Sequence, residues 1–98
     1  MIAYSRAEIL LRERMEYDDG TFVEMVIWKL PAPVRGSGHD YKYRLFYGRI
    51  GERLVGYDNE RTKGDHRHIS GREEPYAFTD VESLVRDFLS DVERMRSK

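Results

Sequence analysis

The chain contains no cysteine among its 98 residues. A disulfide framework and a cysteine-ligated zinc are therefore excluded, and the composition fits a reducing cytoplasm. No apolar run approaches the roughly 20 residues that a membrane-spanning helix needs. The N-terminus shows no signal-peptide pattern, and there is no repeat, low-complexity tract or linker. Nor is there a marked excess of either charge, the formal net charge being −1. These absences point to one domain spanning residues 1–98, without a membrane partner.

What is present is a dense mixture of charge and aromatic surface. Charged residues make up 36% and aromatic residues 12%, the latter too many for a disordered chain. A chain of this length buries roughly 60–65% of its unfolded surface, enough for one core. The near-zero charge conceals a pattern: residues 1–24 carry −3, residues 25–72 carry +5 and residues 73–98 carry −3. A basic middle attracts a polyanion or an acidic partner even when the whole molecule is almost neutral.

Hydrophobic periodicity predicts an α+β fold. Asp19-Gly20 between two apolar runs signals a β-hairpin over Glu8–Leu30. Ile9, Leu11, Met15 and Tyr17 share one parity on the first arm. The second arm, Phe22 to Trp28, is apolar on both sides, as a central strand is. Ser5 with Glu8 also resembles a capping box, which would make residues 6–15 helical. Pro31 and Pro33 end the second strand. Tyr41, Tyr43, Leu45 and Tyr47 then alternate with Lys42 and Arg44, placing rings and cations on opposite sides. Gly48 to Gly51 marks a turn, Arg53 to Tyr57 a fourth strand, and His66 to Ile69 a short fifth strand or loop. Residues 61–78 read as a long loop. Thr79 with Glu82 forms a capping box for a last helix, whose stripe of Val81, Leu84, Val85, Phe88, Val92 and Met95 needs a sheet to cover. The expected architecture is an antiparallel β-meander of four to five strands with a C-terminal α-helix packed on one face. Trp28 and Phe88 are expected in the core, and His39 as an ordinary surface histidine.

The stretch from Tyr57 to His68 concentrates the chemistry. It holds Asp58, Glu60 and Asp65, Arg61, Lys63 and Arg67, Asn59, and the pair His66 and His68. A packed core cannot absorb so many polar groups without partners. On an extended backbone His66 and His68 project to one side and Arg67 to the other; the two rings could act as base and acid in phosphodiester cleavage. Lys63, Arg61 or Arg67 could offset the charge that builds on phosphorus. The same two rings could instead hold a divalent metal, with Asp65 or Asp58 adding oxygen ligands. No metal or other cofactor is required by the acid/base reading. Asp58, Asn59, Glu60 and Gly64 suit positioning roles, as a strand end and a tight turn. Lys42 and Arg44 are candidates for phosphate contact. No nucleophile elbow is present, so the attacking group would be a substrate hydroxyl or water.

The segments at residues 10–20, 23–31, 41–45 and 57–68 together resemble the TumE-like family, candidate toxins of bacterial toxin–antitoxin modules. The resemblance covers nearly the whole chain and is most specific in the 57–68 block. Thr62 departs from it, standing where the block has glycine. The resemblance implies a cytoplasmic toxin that meets a helix-turn-helix antitoxin. With the residue chemistry, it leads to two expectations: an endoribonuclease acting on RNA through His66, His68, Lys63 and Asp65, or a non-enzymatic module whose basic surface docks the antitoxin or a nucleic acid.

Overall fold

A computed structural model describes residues 6–60 and 62–98. Six strands form one antiparallel sheet in chain order, β1 (Glu8–Glu16), β2 (Phe22–Lys29), β3 (Tyr41–Arg49), β4 (Glu52–Glu60), β5 (Gly64–Ile69) and β6 (Arg72–Pro75). Helix α1 (Val81–Arg96) follows. The architecture is thus the expected α+β meander, with one strand more than predicted. The expected long loop over 61–78 is replaced by two short hairpins, in which β5 pairs Asp58 with His66 and Gly56 with His68, and β6 pairs Glu73 with His68. The alternative helix over 6–15 is not formed, residues 8–16 being strand. Its cap, Ser5, lies outside the described residues.

Side-chain parity divides the sheet into two unlike faces. Val23, Ile27, Tyr43, Leu45, Tyr47, Val55 and Tyr57 form one face and are buried against Leu84, Phe88 and Val92 of α1. The other face, left open, carries Trp28, Arg44, Phe46, Asp58, His66 and His68. Trp28 belongs to this open face and is only half-buried, a correction to its expected core position; Phe88 is fully buried. A bulge at Leu10 shifts the β1 register, which sends Ile9 to the side of Trp28 while Leu11 stays opposite Ile27. The single parity expected for Ile9 and Leu11 is broken there.

Helix α1 starts one residue later than the sequence suggested. Asp80 is its N-cap, accepting a 2.7 Å hydrogen bond from the Ser83 backbone N–H. Arg94 and Arg96 occupy its last turn, where the helix dipole favours cations. A second bulge, between Tyr47 and Gly48 in the β3–β4 pairing, leaves Leu54 extra. Gly48 sits there because a Cβ would lie 2.1 Å from the Glu52 carbonyl oxygen.

Candidate functional site

The site is built by the β4–β5–β6 register. Strand alternation sends Asp58 from β4, and His66 and His68 from β5, to the open face. One donor atom from each of the three lies within 4.8 Å of the others. The imidazoles meet edge to face, 5.3 Å between centroids. His66 is 5% exposed. Its Nδ1 lies 3.1 Å from the Gly64 carbonyl oxygen. A carbonyl only accepts, so this nitrogen carries a hydrogen. Its Nε2 stands 2.5 Å from Asp58 Oδ1, yet that buried oxygen has no aligned hydrogen bond among the described residues. Glu73 of β6 completes the rim, with carboxylate oxygens 3.7 Å from His66 Nε2 and 4.0 Å from His68 Nε2. Burial, and then the nearby charge of Arg53, hold the His68 pKa below its ordinary 6.5.

Gly64 fixes the turn that delivers the pair. Its φ is +80°, and a Cβ there would stand 3.0 Å from the Gly36 carbonyl oxygen. The loop after β2 therefore lies directly against the β4–β5 turn, and the Thr62 N–H donates to the Arg35 carbonyl at 2.7 Å. Asn59, fully buried, extends the ladder with its side chain. Its Oδ1 accepts from the Tyr43 N–H at 3.0 Å, and its Nδ2 donates to the Tyr41 carbonyl at 2.7 Å.

Asp65 and Arg67 belong to the other face; this corrects the expected place of Asp65 beside the two rings, while Arg67 points away from them as strand alternation requires. Asp65 accepts from the Tyr43 hydroxyl at 2.6 Å and stands 2.7 Å from His39 Nε2. His39 is stacked on Phe78 at 3.9 Å between centroids; it is a structural histidine, not the surface one expected. Arg67 binds Glu74 at 2.6 Å and Asp91 at 3.1 Å, and donates to the Tyr57 hydroxyl at 3.1 Å. Its donors are engaged beneath α1, away from any open phosphate path. The Tyr57 hydroxyl also donates to Asp91, and burial together with that carboxylate pushes its pKa up.

The remaining candidates lie around the corner. Lys63 is half-exposed, its Nζ 4.0 Å from Glu73. Glu60 is exposed at the end of β4. Lys42 donates to the Asn59 carbonyl at 3.0 Å. Arg61 lies outside the described residues. Arg44 is exposed and shares its row with Asp58 and His66. It lines an open cleft of about 320 Å³ with Phe46, Arg53, Gly56 and Asp58.

Arg53, Phe46 and Glu73 were not among the candidates read from the sequence. Glu73 was hidden because β6 is only four residues long. The pairing of Asp58 with His66 had a usable signal, since a tight turn closing on Gly64 sets position 58 opposite 66.

A model of the family described as Toxin TumE matches residues 5–96. The chain belongs to the TumE toxin family. No curated protein and no solved structure matches it. Membership makes the chain a toxin and implies an antitoxin partner. Among the described residues no helix is long and apolar enough to cross a membrane. Within the stretch matched by the TumE family, residues 57–60 lie in β4 and residues 64–68 in β5, the corner just described.

Proposed function

We propose that this toxin binds single-stranded RNA along its open face and cleaves it at the Asp58–His66–His68 corner, as an endoribonuclease of the cytoplasm. The observation that carries the reading is a single cleft in which Arg44, Arg53 and Phe46 meet Asp58. A single-strand site needs an aromatic face for a base and cations for the backbone on the same surface. Tyr41, Tyr43 and Tyr47 do not supply it, since their parity places them on the helix side. Phe46 does, and the ring of Phe22 extends the patch at 5.2 Å. Among the described residues Arg44 has no ion-pair partner, so its charge is available to a phosphate. Two strand spacings separate Arg44 from His66, roughly 10 Å, a span of one to two nucleotides.

The reaction suited to this corner is internal transesterification. The ribose 2′-oxygen forms a bond to phosphorus, the bond to the 5′-oxygen breaks, and the 2′-hydroxyl proton ends on that leaving oxygen. A 2′,3′-cyclic phosphate and a 5′-hydroxyl result, with no water consumed. The sequence reading gave the base and acid roles to His66 and His68. That division requires a free nitrogen on each ring, and His66 has Nδ1 on Gly64 and Nε2 against Asp58. His68 is the ring that faces substrate with less restraint. Lys63, half-exposed at the edge, is placed to meet a phosphate oxygen. The partner is an antitoxin of helix-turn-helix type that covers this basic surface.

The test is labelled RNA with purified toxin. Wild type should cleave, and His68→Ala should cut at least 100-fold more slowly while keeping its circular dichroism spectrum. Arg44→Ala should weaken binding without changing the products. Salt-sensitive binding with no cleavage by wild type would overturn the enzymatic reading and leave the docking module.

A further inference from the structure

We infer that Asp58, His66 and His68 form a binding site for a first-row transition-metal dication of the zinc class. The site exists independently of RNA; only its use in cleavage rests on the function proposed above. Three observations converge. The donor set is two imidazoles and one carboxylate with their ligand atoms gathered within 4.8 Å. Ligands at about 2.0–2.2 Å from a metal stand roughly 3.0–3.6 Å apart, so side-chain rotations that open the Asp58–His66 pair from 2.5 Å and draw His68 in would complete the set. The second observation is the His66 tautomer. The Nδ1 hydrogen is committed to the Gly64 carbonyl, an arrangement that metal-bound histidines habitually use to orient the ring. In the neutral ring Nε2 then presents a lone pair.

The third observation decides what that lone pair faces. It meets Asp58 Oδ1 at 2.5 Å, and the oxygen is buried without an aligned hydrogen bond among the described residues. At that separation the two atoms share a positive species: a proton when no metal is bound, or a cation once the pair opens to the roughly 3.0–3.6 Å of two ligands. A cation coordinated by both atoms satisfies each lone pair at once. Nitrogen ligands select zinc, cobalt or nickel over magnesium and calcium, which prefer oxygen. Glu73, 3.7 Å from His66 Nε2, can serve as a fourth ligand or accept a proton from a bound water. When bound, the metal would act as a Lewis acid on a phosphoryl oxygen, the part that the restrained His66 cannot play as a free acid or base.

The experiment uses the untagged, metal-stripped full chain. Cobalt(II) titration should develop visible d–d absorption with one equivalent bound, and zinc should raise the melting temperature while magnesium at equal concentration does not. Asp58→Asn and His68→Ala, verified as folded by circular dichroism, should each weaken cobalt binding at least about tenfold. His39→Gln, on the opposite face, should leave it unchanged. Absence of a cobalt spectrum and of a zinc-induced shift in wild type would overturn the inference, as would uptake undiminished in both ligand variants. The two readings fail separately. Metal uptake without RNA cleavage removes the ribonuclease, while cleavage by chelator-treated, metal-free protein removes the metal site's role in it.

Discussion

Thr62 adopts a φ of 70°, in the left-handed region where a β-branched residue costs about 1–2 kcal/mol. Glycine adopts this region without a Cβ penalty. Glycine removes the strain but gives the unfolded chain more freedom, about 0.5–1 kcal/mol. Thr62→Gly should therefore stabilise the toxin by up to about 1 kcal/mol, seen as a higher urea midpoint at unchanged slope. Tyr43 offers the reverse case. Its buried hydroxyl donates to Asp65, and burial raises its pKa. Tyr43→Phe should cost about 1–2 kcal/mol in urea unfolding and leave RNA cleavage intact, since the pair lies on the helix side. At this scale the sequence marked a dense run of polar and titratable residues but not which face each one serves. Asp65 and Arg67 sit in the same run as His66 and His68, and parity alone separates structural from reactive neighbours. Alternation along β3 and β5 places the tyrosines and Arg67 on the helix side and the two histidines on the open side; Asp65, one residue before His66, follows the same rule.

The elements were readable wherever a pattern ran for two turns or a full strand. The hairpin at Asp19-Gly20, the β3 alternation and the α1 stripe all appear where periodicity placed them. What escaped was short or irregular: β6, with four residues, and the bulges at Leu10 and Leu54, which no alternation can announce. The β3–β4 bulge makes a sharp prediction. A Cβ on residue 48 would lie 2.1 Å from a backbone oxygen, which only a backbone shift can relieve. Gly48→Ala should destabilise by about 1–3 kcal/mol and disturb the nearby cleft, so RNA binding should weaken with it. The start of α1 predicts a pH effect. Hydrogen bonding to Ser83, first to its backbone N–H, holds the Asp80 carboxyl below its ordinary 3.8. A depressed carboxyl contributes stability above that ordinary value and loses it as pH falls toward the lowered one. Asp80→Ala should lower the melting temperature at pH 7, and the gap to wild type should narrow as the pH drops below 3.8.

Across the thickness of one sheet the molecule separates the packed core from the face proposed to meet RNA. The helix side carries the buried rings and the Arg67–Asp91 and Asp65–His39 ties; the open side carries Arg44, Phe46 and the Asp58–His66–His68 corner. RNA affinity should therefore follow salt, with a log–log slope that becomes shallower by about 0.7 for each phosphate contact removed. Arg44→Ala is expected to show that change in a filter-binding or anisotropy titration, whereas Tyr43→Phe is not. The charge segregation of the sequence foretold a basic middle but not this geometry, because Arg67 is consumed by ion pairs beneath the helix and Lys29, Arg49, Lys63 and Arg72 pair with carboxylates at the surface.

The place of α1 after every strand also sets an order of events during synthesis. The sheet leaves the ribosome with Val55, Tyr57 and their neighbours uncovered, and remains sticky until residues 81–96 have emerged to shield them. A nascent or truncated toxin is thus a substrate for chaperones and proteases before it is a threat to the cell that makes it.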